Sequence, residues 1–412
     1  MYEQNLYFLR LSRRLYMNRA IHKQCIIKGD FMLYTLKASE IYLENQILYN
    51  SSIAVNEKGI IAEIAPSTDS GEVIDLGDLR LMPGLIDIHV HGGNGYDTMD
   101  ASYHSLNQIS LFKLKEGVTS FCPTTVTASL PHTVKAIKAI NEAMEKGVDG
   151  AKIIGPFLEG PYINESYKGA HPEKSIRDIN EEEIYALIKE CKGIVSFAIA
   201  PEKKGAMKLI ERLSQEGIVI RIGHSAATYE EALKAFESGA KIVIHTYNAM
   251  TQLKSREPGL LGAAMAKDEL YAEIICDTIH VHPASVKILM NAKPKDKTVL
   301  VTDCMMAGGL KDGEYTLGEL PVKVENSIAR TFEGALAGST LSLSKAVYNT
   351  YAHSGQNVLQ ALNMASLNPA KALKIDKYTG SIKEGKFADI IAADPNMNIK
   401  FVMVNGQIKI NL

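Results

Sequence analysis

Six polar side chains stand at points where the sequence is otherwise apolar: His89, His91, Glu159, His224, His245 and Asp303. Imidazole and carboxylate are the groups that hold zinc or ferrous iron, and four of one with two of the other make a donor set for one or two such ions. His89 and His91 are two residues apart, and in a strand that spacing turns both side chains to one face, where they can approach a single ion. A histidine in isolation is usually a hydrogen-bonded core or surface residue. Glu159 could cap the turn it precedes, and Asp303 could cap a following helix. Separate explanations of that kind do not account for six such residues at matching positions of five strands.

Those positions are the C-terminal ends of apolar runs. LIDIHVH, VTSFCPTT, AKIIGPFLEG, IVSFAIAPE, IVIRIGHS, KIVIHTYNAM, AEIICDTIH and KTVLVTDCM read as eight buried strands. Apart from the fourth, whose polar end is only Glu202, each carries a polar cluster at its C-terminal end. Stretches of helical character, such as SLPHTVKAIKAINEAMEKG and YEEALKAFESG, separate the strands, and one long stretch of that kind follows the last. Apolar strands alternating with helices predict a parallel sheet covered on its outside, and eight repeats predict a closed (β/α)8 TIM-like barrel over 83–379. Barrel enzymes place their chemistry at the C-terminal strand ends. The flanks read differently. Residues 32–82 contain YTLKASEIYL, QILYNSSIAV and GIIAEIAP, and 380–412 contain GSIKEGKFADIIAAD and FVMVNGQIKI. Neither piece can bury its own apolar face, so the two are expected to combine into one small β-sandwich beside the barrel. No repeat of 20 to 50 residues marks a solenoid.

With 412 residues, 46% hydrophobic and 22% charged, the chain can fill the core of a barrel and a small companion domain. Its 45 lysines and arginines nearly balance 47 aspartates and glutamates, for a formal charge of −2. No general field draws in nucleic acid or an anionic membrane, so neither is expected as a partner, and an anionic ligand must be met locally. Cys25, Cys122, Cys191, Cys276 and Cys304 are odd in number and lack CxxC spacing. That pattern argues against disulfides and thiolate zinc sites and predicts a reducing, cytoplasmic location. No apolar run reaches the roughly 18 to 20 residues of a membrane helix. Neither GxxxxGK[ST] nor GxGxxG occurs, so nucleotide hydrolysis and dinucleotide redox chemistry have no support. Residues 1–31 are rich in Arg and Lys, with charge interrupting their apolar residues, unlike a secretory signal. They are expected to be an unfolded leader, with translation naturally starting at Met32.

At the level of motifs, PGLIDIHVHGG (83–93) resembles the opening of amidohydrolase-superfamily sequences. FLEGPY with KGAH (157–171), GHS (223–225), HTYNAM (245–250), REPG (256–259), LVTDCM (300–305) and ALAGS (335–339) resemble the N-acetylglucosamine-6-phosphate deacetylases within it. The resemblance runs in order from about residue 32 to the C-terminus, where GSIKEGKFADI resembles the superfamily's returning segment. It implies hydrolysis of the acetamide of N-acetylglucosamine 6-phosphate. It also implies Glu159, His224 and His245 as metal ligands, with His89 and His91 as a further pair permitting a second ion. Glu159 would then bridge where many relatives use a carbamylated Lys. Asp303 would be the acid and base of the reaction, and Ala170 and His171 substrate contacts. Arg256, whose guanidinium suits phosphate oxygens, would join Asn248, Ala249 and His280 around the sugar phosphate. Leu336, Ala337 and Gly338 would line the acetyl side, and the assembly would be a homodimer.

Two other classes make different demands. A dihydroorotase-like cyclic amidase calls for Lys in place of Glu159. A metal-free assembly protein on the same barrel would have lost ligands or Asp303, and all are present. A deacetylase for the galactosamine isomer, differing by one hydroxyl, stays open as an alternative.

Overall fold

The computed structural model describes residues 31–66, 70–191 and 193–412. The leader expected at 1–31 lies outside them, apart from Phe31.

Eight parallel strands form the barrel: Leu85–Val90, Val118–Thr125, Phe157–Glu159, Ser196–Ile199, Val219–Ile222, Ile242–Val243, Tyr271–Ile274 and Thr298–Leu300. Each pairs with the next in sequence. The first is buried at all six positions and the second at all eight, because helices cover the outer face and packed side chains fill the inner one. The third is shorter than its apolar run. Lys152–Ile153 pairs with the second strand, then Gly155 and Pro156 interrupt before Phe157–Glu159 resumes.

Local chemistry sets the helices that return the chain. Tyr229–Ser238 starts at a capping box of Thr228 with Glu231 and stops at Gly239. Glu181–Glu190 is capped by Asn180 and carries three glutamates in its first turn, where the helix dipole favours them. Leu130–Lys146 has proline in its first turn and ends at Gly147.

The terminal segments share one eight-stranded sheet. Met32–Tyr42, Ile47–Asn56, Ile61–Ala65, Glu72–Asp75 and Arg80–Pro83 come from the first; Ile390–Ala393, Ile399–Val404 and Gln407–Asn411 come from the second. The two meet where Arg80–Pro83 runs antiparallel to Ile390–Ala393. Leu36, Ile53, Val55, Leu81, Ile390, Phe401 and Met403 make a core of their own. Of GSIKEGKFADIIAAD only Ile390–Ala393 is strand; the stretch before it is irregular, with a turn at Glu384 and Gly385.

One stretch departs from the expected helical reading after the eighth strand. Gly313–Leu317, Leu320–Glu325 and Ile328–Thr331 form a three-stranded antiparallel sheet ahead of the helix Leu343–His353. Alternation is the physical reason: Val322 and Val324 are buried between exposed neighbours, a period of two that a helix cannot satisfy. This insert packs Leu317, Val322, Val324 and Ala329 against Met99 and Val126 above the barrel.

Because the terminal sheet is built from both chain ends, its core should report on the whole fold. Phe401 is fully buried there. Phe401→Ala should cost about 3–5 kcal/mol, read by urea unfolding, with little change in activity per folded molecule. A loss under about 1 kcal/mol would mean that the sheet does not support the barrel.

Candidate metal centre and active site

Five of the eight strands deliver one functional group each, or two, to a single buried cluster at the C-terminal mouth. Glu159 is its centre. Oε1 lies 3.2 Å from Nε2 of both His224 and His245, and those two nitrogens are 3.1 Å apart. Oε2 lies 3.1 Å from His91 Nε2, 3.4 Å from His89 Nε2 and 3.5 Å from His171 Nε2. Asp303 Oδ1 closes the second array, 3.1 Å from His91 Nε2 and 3.6 Å from His89 Nε2. The backbone cooperates: His224, His245 and Asp303 all have positive φ, of 45°, 25° and 51°. Non-glycine residues hold that conformation only when their surroundings compel it. Each strand thus ends by swinging its last side chain inward. The next residue, Gly160, is at φ +82° and packs against Thr127, where a Cβ would stand 1.9 Å from Oγ1.

A surrounding set of acceptors decides which ring nitrogens face the centre. His91 Nδ1 donates to the Thr124 carbonyl at 3.2 Å, and His224 Nδ1 to the Tyr167 carbonyl at 2.8 Å. His89 Nδ1 donates to Glu273 Oε2 at 3.1 Å. Each bond puts the proton on Nδ1 and leaves the Nε2 lone pair pointing inward, the form that ligates a metal. Behind Glu273 lies Arg221, fully buried within the barrel, with its guanidinium bonded to that carboxylate and 3.8 Å from the Phe157 ring centre. His171 is arranged the opposite way. The Thr127 N–H donates to its Nδ1 at 3.2 Å, so the neutral ring carries its proton on Nε2 and is a donor, not a ligand. Burial and the neighbouring His224 push His171 down to about 4, which keeps it neutral.

Do these residues suit a cation? His89 Nε2 is buried, aimed at Glu159 and Asp303, and makes no hydrogen bond among the described residues. A buried polar atom without a partner is costly, and here the donor set is imidazole and carboxylate throughout. His89, His91 and Asp303 bring potential ligand atoms within 4.8 Å of one another, and Glu159, His171 and His224 do the same on the other side. The cluster fits a divalent ion.

Above the centre opens a cavity of about 290 Å³. Ala170, His171, Asn248, Ala249, His280, Leu336 and Gly338 line it together with His91, Glu159, His224, His245 and Asp303. His280 is held by Asp277, whose Oδ2 lies 2.6 Å from Nδ1. Two expected residues are elsewhere. Ala337 is fully buried beneath the wall, in the core with Met305 and Val322. Arg256 is exposed on the loop after the sixth strand and is not part of the cavity wall. Burial works against charge on Asp303, but His89 and His91 outweigh it and hold the carboxyl at about 2, so it is an anion at neutral pH. Arg221, Glu273 and Thr127 were not singled out by sequence. The first two carried a signal: a charged residue inside the apolar runs IVIRIGHS and AEIICDTIH is rarely buried unless paired.

A nearly closed parallel barrel whose strand ends converge on a cluster fit for a divalent ion defines the class, a metal-dependent hydrolase. The model of the amidohydrolase family matches residues 80–409, and the chain belongs to that family. It is 39% identical over 378 residues to an N-acetylgalactosamine-6-phosphate deacetylase of Escherichia coli O157:H7, covering 92% of this chain and 99% of the relative. It is 38% identical over 378 residues to an N-acetylglucosamine-6-phosphate deacetylase of Vibrio furnissii, covering 91% and 94%. The crystal structure of N-acetylglucosamine-6-phosphate deacetylase from Pasteurella multocida superposes with a TM-score of 0.87 at 30% identity, over 92% of this chain and 100% of that one.

The cluster predicts how metal and pH act together. Burial alone would lower the His91 imidazole, but Asp303 and Glu159 outweigh it and raise it to about 9 in the metal-free protein. A folded-state pKa above the unfolded value of about 6.5 stabilises the metal-free fold fully below that pH. That contribution is lost as pH climbs towards about 9. A bound cation replaces the proton and does not share the loss. The difference in Tm between metal-loaded and chelator-treated protein should therefore widen across that interval. A difference that stays flat or narrows would contradict the arrangement.

Proposed function

We propose that this chain hydrolyses the acetamide of N-acetyl-D-glucosamine 6-phosphate to acetate and D-glucosamine 6-phosphate. The observation that carries the reading is the joint placement of Glu159, its histidines and Asp303 at the floor of a cavity of sugar size. The full-length similarity to deacetylases supports the substrate class. Glu159, His224 and His245 would hold one divalent cation, with His89 and His91 able to take a second; zinc or ferrous iron suits these donors. Such an ion, when bound, polarises an amide carbonyl and lowers the pKa of water towards about 7.

The chain's own residues supply the rest. Asp303 takes a proton from the attacking water as its oxygen bonds to the carbonyl carbon. It returns that proton to the amide nitrogen as the C–N bond breaks, so the leaving group departs as a neutral amine. His171, a donor through Nε2, stabilises the carbonyl oxygen as it gains negative charge. Asn248, Ala249 and His280 position the sugar phosphate, with Arg256 joining from the rim, and Ala170, Leu336 and Gly338 enclose the acetyl side. We further read the protein as a cytoplasmic homodimer with small-molecule substrates. Its phosphorylated substrate class and, among the described residues, four free and buried cysteines support a reducing interior. No helix among the described residues is long and apolar enough to cross a membrane.

A second reading is favoured by one observation: the relative at 39% identity acts, by its name, on the galactosamine isomer. Acetate release from both isomers, each with and without the 6-phosphate, separates the two. We expect the phosphorylated glucosamine substrate to lead, and preference for the galactosamine compound would reassign it. Asp303→Asn, loaded with metal, should lower turnover by about 10²- to 10⁴-fold. Near-normal turnover would remove Asp303 from the reaction.

A further inference from the structure

The barrel closes on a seam without a ladder. Among the described residues, the first and eighth strands share no ladder, only the single bridge Val90–Cys304. At the mouth the backbone manages three bonds across it. Asp303 N–H donates to the His89 carbonyl at 3.0 Å, and His91 and Gly92 N–H both donate to the Cys304 carbonyl at 2.9 Å. One step deeper a side chain takes over. Asp87 Oδ1 accepts the Thr302 N–H at 3.2 Å, and Oδ2 accepts the Thr302 hydroxyl at 2.6 Å. That same hydroxyl oxygen accepts the Cys304 N–H at 3.2 Å. Both chain neighbours of Asp303 are therefore tied to one hydroxyl group, and that group to one carboxylate.

The carboxylate has its own support. Lys113 Nζ lies 3.4 Å from Asp87 Oδ2, 3.4 Å from Thr302 Oγ1 and 3.0 Å from Glu116 Oε2. Lys113, Asp87 and Thr302 are fully buried, and none lines the cavity. A lysine is seldom placed so deep unless its charge is used. Asp303 itself is held at φ +51°, with its carbonyl accepting the Ser339 N–H at 2.7 Å. A non-glycine residue stays there when its flanks are pinned.

We infer that Asp87 and Thr302 are positioning residues for Asp303, standing in for the missing strand pairing at the seam, with Lys113 as the buried counterion. The inference rests on Asp303 serving as the acid and base. Neither residue touches substrate or reacting atoms. Their effect is to fix the direction of the Asp303 carboxylate relative to His89 and His91.

Thr302→Val removes the hydroxyl and its bonds to Asp87, Cys304 and Lys113 while keeping the volume, and Thr302→Ser keeps the hydroxyl. In metal-replete protein, Thr302→Val should lower kcat by about 10- to 100-fold, the scale of a misplaced catalytic group. KM should stay within about threefold, metal content should match the wild type, and Thr302→Ser should recover most of the kcat. A role in fold stability alone would lower Tm but spare kcat per folded, loaded molecule. If Thr302→Val does not fold, Asp87→Asn should give the same selective fall in kcat. The inference is overturned if Asp303→Asn abolishes turnover while the folded seam variant keeps wild-type kcat. It is overturned too if the variant has lost metal and regains full kcat on metal addition. If Asp303→Asn is itself active, the reading of Asp303 fails first, and this inference with it.

Discussion

A single carboxylate shared by imidazoles on three strands organises the mouth of this barrel. Glu159 faces His224 and His245 through one oxygen and His89 and His91 through the other. An anion this deep is expensive unless compensated, and its neighbours hold it well below the usual carboxylate range despite the burial. The compensation dictates much else. The rings must present Nε2, so each of three has an acceptor placed behind Nδ1: Thr124, Tyr167 and Glu273. The strands must end at one level and turn inward, and His224, His245 and Asp303 do so at the cost of positive φ.

Charges inside the barrel follow the same rule of pairing. Arg221 would be intolerable alone in an apolar interior, yet Glu273 neutralises it, Ser196 and the Ile88 carbonyl accept from it, and Phe157 offers its ring face. Glu273 is then bound on one side by a guanidinium and on the other by His89, so an imidazole on the first strand is oriented from the seventh strand and braced from the fifth. Lys113 and Asp87 repeat the pattern at the seam. Burial that would be a liability for separate charges becomes rigidity when each has a fixed partner.

Much of this was legible in the sequence because barrel strands place chemistry by position. The apolar runs marked the eight strands, and their polar ends marked His89, His91, Glu159, His224, His245 and Asp303 as candidates. What the sequence did not disclose depends on contacts between distant segments. Thr127 fixes the His171 tautomer across 44 positions, and no local pattern encodes that. The strands of 313–331 were hidden because their alternation is short and mixed with charge, as in LPVKVE. Arg256 and Ala337 were close in sequence to cavity residues without sharing the cavity, since neighbours along a loop can face opposite sides.

The central claim is that Glu159 divides its two oxygens between cation-binding arrays. Crystals of the metal-loaded protein, measured across the absorption edge of the bound metal, test it directly through anomalous scattering. The account predicts a peak within bonding distance of Glu159 and of both His224 and His245, with any second peak falling between Glu159 and the His89–His91 pair. Anomalous density elsewhere, or a fully loaded protein with no peak bonded to Glu159, would contradict it.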